Sequence, residues 1–181
     1  LVGGARGREL QALCERFVLP ASLVPPLTAV MREHAPSLRL SDDTVRVLTA
    51  LRDSWRIGIV TNGTPRIQRR KVEALGLEPL VDAVICAAEH GDGAGKPAAP
   101  AFEAALDRLG APAEAAVFVG DDWRADIDGA TAVGMRTIHL LGYRHDGECD
   151  DDLCGAHIRG IAQVPAVADR LVSMRTDHHV S

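Results

Sequence analysis

The sequence predicts a three-layer α/β sandwich around a parallel sheet, and three observations carry that expectation. Short apolar runs that fit strands buried on both faces alternate with amphipathic stretches at helical spacing. Glycines stand where helices should stop, at Gly76, Gly110 and Gly134. Aromatic residues make up only 3% of the 181 residues while hydrophobic residues reach 46%. Ala, Val, Leu and Ile therefore supply the apolar bulk, which suits helices on a buried sheet better than an aromatic-rich β-sandwich.

In chain order, residues 7–18 and 21–34 read as helices, punctuated by Pro20, Pro25-Pro26 and Pro36. Ser41 is placed to N-cap a helix through Asp53 that buries Val45, Leu48 and Leu51. The run 56–61 is a buried strand ending in Asn62-Gly63. A helix follows over 65–75, then a strand over 82–87. The clearest amphipathic helix spans 98–109, with Phe102, Ala105, Leu106 and Leu109 at i, i+3, i+4 and i+7. A strand over 115–119, a helix over 124–133 and a strand over 135–141 complete the alternation. Residues 142–157 are polar, acidic and glycine-bearing, and read as a loop; 158–161 is a last short strand, 164–172 a closing helix. The expected organisation is a helical segment over 1–40, an α/β core over 41–175 and a frayed tail over 176–181.

Composition narrows the function classes. Twenty Lys+Arg against 25 Asp+Glu leave a net charge of −5, with no dense basic stretch beyond Arg69-Arg70-Lys71. A nucleic-acid partner is not expected. No run approaches the ~18 apolar residues of a membrane span. Leu1-Val2-Gly3-Gly4 does not have the layout of a signal peptide. Four cysteines at irregular spacing suit a reducing compartment, so the expectation is a cytoplasmic protein with no membrane partner. The sequence opens on Leu1 rather than Met.

Ligands of open parallel sheets bind beyond the carboxyl ends of the strands. Thr61 and Asn62 end one strand, Lys96 lies in the loop after the next, and Asp121-Asp122 follow a third. A hydroxyl, an ammonium and paired carboxylates on one edge suit a phosphoryl group with a hard cation. Asp126, one turn into the following helix, can face the same point. Each element has a plainer reading. Thr-Asn-Gly after a strand is usually a turn, a lone lysine is usually solvated, and Asp121 and Asp122 could simply cap a helix. Their joint occurrence at matching strand ends is what carries weight.

Three stretches resemble the haloacid dehalogenase superfamily of phosphohydrolases, in the subgroup with an N-terminal helical cap. They are Ile57-Gly58-Ile59-Val60-Thr61-Asn62-Gly63, Gly95-Lys96-Pro97 with Phe102, and Val117 through Ala130 with its Gly120-Asp121-Asp122 and Asp126. They are similar to the family's second, third and fourth motifs. The resemblance implies that Thr61 and the Asn62 amide bind the transferring phosphoryl group and that Lys96 pairs with phosphate and nucleophile. It implies Asp121 as a Mg²⁺ ligand, Asp126 as support for the metal shell and Asp122 in a metal role at a position often filled by Ser. The substrate implied is a small phosphorylated metabolite, cleaved through an aspartyl-phosphate. Dehalogenases and phosphomutases share these motifs.

One departure outweighs the matches. The family's first motif, Asp-x-Asp on the central strand, should precede residue 40, yet no residue before Ser41 is Asp. Asp42-Asp43-Thr44 follows no apolar strand and reads as a helix cap. The expectation is a chain that begins inside a partial cap, and without the nucleophile it is inactive. The family's sheet would set the absent strand between those ending at Thr61 and Gly120. Either these two close on each other, or something else fills the place, or the sequence is incomplete; incompleteness is favoured, since unsatisfied buried backbone groups cost ~1–3 kcal/mol each. The competing expectation is a non-catalytic module that binds phosphate ligands or a protein. His90 through Lys96 invites a P-loop reading, but Pro97 replaces the needed Ser/Thr. A receiver domain would put its acids first and its lysine last. His145, Cys149, Cys154 and His157 could ligate zinc, though their spacing is not a standard one.

Overall fold

The computed structural model describes residues 8–141 and 154–173. The chain divides into two compact units, Leu1–Ser37 and Leu38–Ser181.

The first unit holds α1 (Glu9–Arg16), a 3-10 turn (Ala21–Leu23) and α2 (Val24–Glu33). Pro25 and Pro26 sit in the first turn of α2, where no intrahelical N–H is needed. Cys14 is its buried apolar residue, while Phe17, Val30 and Met31 remain exposed.

The second unit runs α3 (Asp42–Leu51), β1 (Gly58–Thr61), α4 (Pro65–Ala74), β2 (Ala83–Cys86), α5 (Pro100–Leu109) and β3 (Val117–Gly120). A π-helical segment (Trp123–Asp128), α6 (Gly129–Ala132), β4 (Arg136–Leu140), β5 (Ala156–Ile158) and α7 (Val164–Ser173) follow. Ser41 caps α3 as expected, its hydroxyl accepting the Thr44 N–H at 3.2 Å. Gly110 closes α5 in the left-handed region at φ 61, a conformation that costs a side-chain-bearing residue.

Among the described residues, all strand pairs are parallel. β1 pairs with β2, Gly58 opposite Ala83 and Thr61 opposite Cys86. β3 pairs with β4, and β4 with β5. Helices cover both faces, which makes the expected α/β sandwich. α5 packs Ala101 and Ala105 on Ile85 and Ala87. On the other half, α7 sets Val164 and Ala168 against Ile138 and Ile158, with Leu51 of α3 at the margin. Phe102 of α5 is fully buried, worth roughly 1.5–3 kcal/mol of transfer free energy.

Among the described residues the strands form two sheets, β1–β2 and β3–β4–β5, and β1 does not pair with β3. Between them lies a cavity of about 290 Å³, walled by Leu48, Leu51, Ile59, Val60, Val117 and Val119. A second cavity, about 400 Å³, opens on the α5 side along Gly58, Ala105 and Leu109. The two strands therefore do not close on each other. β3 is only half-buried along its whole length, although its sequence is that of a strand covered on both faces.

The helix expected over 21–34 opens as a 3-10 turn, and Val45 of α3 is exposed rather than buried. Two later elements also differ from the sequence reading. The last strand is Ala156–Ile158 rather than 158–161, because β4 takes its partner earlier, Ile138 opposite Ala156. Ile161–Gln163 is a 3-10 turn instead. The helix expected over 124–133 opens as a π-helical segment, in which the Ile127 N–H reaches the Asp122 carbonyl at 3.4 Å. His145, Cys149 and the tail 176–181 lie outside the described residues. No described helix is long and apolar enough to cross a membrane.

Candidate functional site

The carboxyl ends of β1 and β3 are linked by side chains rather than by sheet hydrogen bonds. Thr61 is the last residue of β1 and Asn62 the next. The Asn62 carboxamide grips the backbone of Lys96 at two points. Its Nδ2 donates to the Lys96 carbonyl at 3.0 Å, and its Oδ1 accepts the Lys96 N–H at 2.7 Å. Gly95 makes that approach possible: its φ is +70, and a Cβ there would stand 2.9 Å from Asn62 Oδ1. Pro97, joined to Lys96 by a cis peptide, packs its Cα against Gly129, where a Cβ would come within 2.9 Å of it.

So held, Lys96 sends its ammonium inward. Nζ donates to the Val60 carbonyl of β1 at 3.0 Å and to Asp126 Oδ1 at 2.6 Å, and lies 5.4 Å from the centre of the Phe118 ring. The paired side chains are only 11% and 8% exposed. Burial this deep is tolerable because each charge has its partner and further hydrogen bonds. Asp126 Oδ2 accepts the Asp122 N–H at 3.2 Å, and Asp122 Oδ1 accepts the Ala125 N–H at 2.9 Å. Gly120 leaves room for this: a Cβ there would sit 2.3 Å from Asp126 Cβ. The wider π-helical turn is what brings Asp126 back beneath β3.

The structure thus joins four of the expected residues, Asn62, Lys96, Asp122 and Asp126, in one hydrogen-bonded chain. Thr61 and Asp121 stand at the same edge as the residues that end β1 and follow β3. The Thr61 hydroxyl makes only a long contact to the Asn62 carbonyl at 3.4 Å. The half-buried Asp121 carboxylate enters none of these hydrogen bonds. Asp126 is matched by the Lys96 ammonium, while Asp121 and Asp122 bring two further carboxylates to the segment that follows β3. A hard octahedral cation needs only one or two carboxylates beside its waters, so Asp121 with its neighbours fits such an ion. Among the described residues no three His, Cys, Asp or Glu side chains are already gathered around a point.

Two features escaped the sequence. The Asn62 side chain is committed to the Lys96 backbone, and the Lys96 ammonium to Asp126. Their separations of 34 and 30 residues leave no local signal. Of the zinc candidates that are described, the Cys154 thiol is buried and donates to the Ala156 carbonyl at 3.0 Å. The His157 ring lies 6.2 Å from Trp123 and 5.4 Å from His139. At the end of β2, burial pushes the Cys86 thiol above its ordinary value, Glu89 adds to the rise and Arg69 opposes it.

Comparison with known proteins bears on this edge. A family model described as hydrolase, haloacid dehalogenase-like hydrolase, matches residues 10–134. Ribulose-1,5-bisphosphate 5-phosphatase of Halopiger xanaduensis is 49% identical over 82 residues, 45% of this chain and 34% of that protein. Glyceraldehyde 3-phosphate phosphatase of Methanocaldococcus jannaschii is 31% identical over 135 residues, 74% of this chain and 58% of that protein. A crystal structure of a 2-haloacid dehalogenase from Pseudomonas syringae pv. Tomato is 33% identical with a TM-score of 0.62, over 72% of this chain and 54% of that one. The matches thus span between a third and three fifths of these proteins' lengths.

Proposed function

Because the chain belongs to the haloacid dehalogenase-like hydrolases, we propose that its α/β unit serves the Mg²⁺-dependent hydrolysis of a small phosphate ester. The observation that carries this reading is the ammonium of Lys96 held between the ends of β1 and β3 by Val60 and Asp126. The Thr61 hydroxyl and the Asn62 N–H would donate to phosphoryl oxygens, and Lys96 would offset their charge. Asp121 would hold Mg²⁺ with Asp122 beside it, while Asp126 acts on the metal only through its neighbours, both its oxygens being engaged. The ion, when bound, would neutralise the phosphate and the surrounding carboxylates. The phosphatase names of the relatives at 49% and 31% identity favour a small phosphorylated metabolite as substrate.

The family route of hydrolysis would pass through an aspartyl-phosphate. These 181 residues place no aspartate before Asp42, and no Asp or Glu lines the cavity between β1 and β3. That route would call for a nucleophilic carboxylate at the carboxyl end of a strand beside β1 and β3. That same observation favours a second reading, a non-catalytic module that binds a phosphate-bearing ligand or a protein.

The test fuses an extended apolar segment ending in Asp-x-Asp ahead of the chain and assays a panel of small phosphate esters, with a 2-haloacid included. Phosphate release that requires Mg²⁺ and disappears in Asp121→Asn is the expected result. Halide release instead would move the assignment to a dehalogenase. No release from any substrate, with phosphate still bound by the unfused chain, would establish the binding module.

A further inference from the structure

We propose that the Asn62 side chain is the positioning residue for Lys96, acting through that lysine's backbone. Its functional consequence rests on the anion-site reading above; the clamp itself rests on geometry alone. A carboxamide offers one donor face and one acceptor face. Asn62 spends both on the N–H and carbonyl of a single residue, at 2.7 and 3.0 Å, in the manner of a short β-bridge. The main-chain N–H and the second Nδ2–H are then left for other acceptors.

The loop needs such a clamp. Residues 91–95 contain three glycines with positive φ, Gly91, Gly93 and Gly95, so the approach to Lys96 has little stiffness of its own. On one side the loop is braced by Pro97 against Gly129. On the other, Asn62 ties it to the end of β1. Between these two supports the lysine stem has one path, which ends with Nζ on the Val60 carbonyl and Asp126. An aliphatic residue at 62 would leave the Lys96 N–H and carbonyl without these partners. The loop could then swing, and the ammonium with it.

The composition supplies an internal control. Lys71 and Lys96 are the only lysines among 181 residues, and Lys71 sits on α4, away from the clamp. Amine acylation read by peptide mass spectrometry therefore reports both sites in one experiment. In the unaltered chain Lys96, 11% exposed, reacts more slowly than Lys71. Asn62→Ala is expected to raise the Lys96-to-Lys71 rate ratio roughly ten-fold, the scale set by losing two neutral hydrogen bonds. Asn62→Asp, which keeps the acceptor and loses the donor, should fall between. Gly95→Ala, which forces a Cβ onto Asn62 Oδ1, should reproduce Asn62→Ala without altering the amide. An unchanged ratio in both Ala variants overturns the proposal. Equal acceleration of Lys71 also overturns it, because general loosening would then explain the effect.

Inorganic phosphate with Mg²⁺ separates the two readings. If phosphate fails to protect Lys96 in the unaltered chain, the anion-site reading falls while the ratio still decides the clamp. If phosphate protects, Asn62→Ala should need about ten times more of it for the same protection.

Discussion

Along the same pair of strands, β1 and β3, the two halves of the α/β unit meet in opposite ways. At the carboxyl ends they are bridged by polar groups, an exposed one from Asn62 to Lys96 and a largely buried one from Lys96 to Val60 and Asp126. Along their bodies the same strands line a mostly apolar cavity of about 290 Å³, which Lys96 and Arg56 also reach, and share no ladder. The difference shows that the polar edge does not depend on a continuous sheet. Its geometry is set by directional hydrogen bonds from residues anchored in each half. The body of the strands relies on non-directional burial, and that is incomplete wherever walls do not touch.

The strongest challenge to this contrast lies at the polar end. Asp126→Asn leaves the Lys96 ammonium buried without its counter-charge and should destabilise the unit by ~3–5 kcal/mol in urea unfolding. Adding Lys96→Met to that variant should recover much of the loss. A loss below ~1 kcal/mol for the single change would mean that the bridge is solvated and the two ends are alike after all.

A smaller pair of changes sharpens the contrast from the apolar side. Val119→Ile adds one methylene toward the cavity and should be neutral or stabilising by up to ~0.8 kcal/mol. Ala130→Val adds two methyl groups in the closed part of the fold, where Ala130 is 0% exposed, and should cost ~1–3 kcal/mol. Equal penalties for the two, measured by the same urea transitions, would show that the cavity closes in solution.

The smallest expected effect is at Cys86, whose thiol titrates above its ordinary value of 9.0 because of burial, then Glu89. Above pH 9.0 the unfolded thiol loses its proton before the folded one. The folded state then binds more protons, so stability declines as pH rises through that window. Unfolding transitions at pH 8 and 10 should show this slope, and Cys86→Ala should flatten it. Well below pH 9.0, both states keep the proton and the residue adds no slope.

The elements were legible because they are written locally. The i, i+3, i+4 apolar pattern in α5, the Ser41 cap and the left-handed Gly110 each involve residues a few positions apart. The edge proposed for the chemistry was legible too, since polar residues directly after apolar strands must emerge at the carboxyl end of a parallel sheet. β5 departs from the expected 158–161 because Ala156-His157-Ile158 has no apolar run of its own and becomes a strand by pairing with β4.

The sequence by itself therefore determined the α/β alternation, the order of the elements and which residues gather at one edge, because short-range periodicity and capping encode these. Only the tertiary structure decided that Lys96 spends its charge on Asp126, that Asn62 spends its amide on Lys96, and that β1 and β3 stand apart. Each of those outcomes is a contest between partners 30 or more residues distant in the chain. Such contests are settled by burial and hydrogen-bond geometry, quantities that exist only once the strands are side by side.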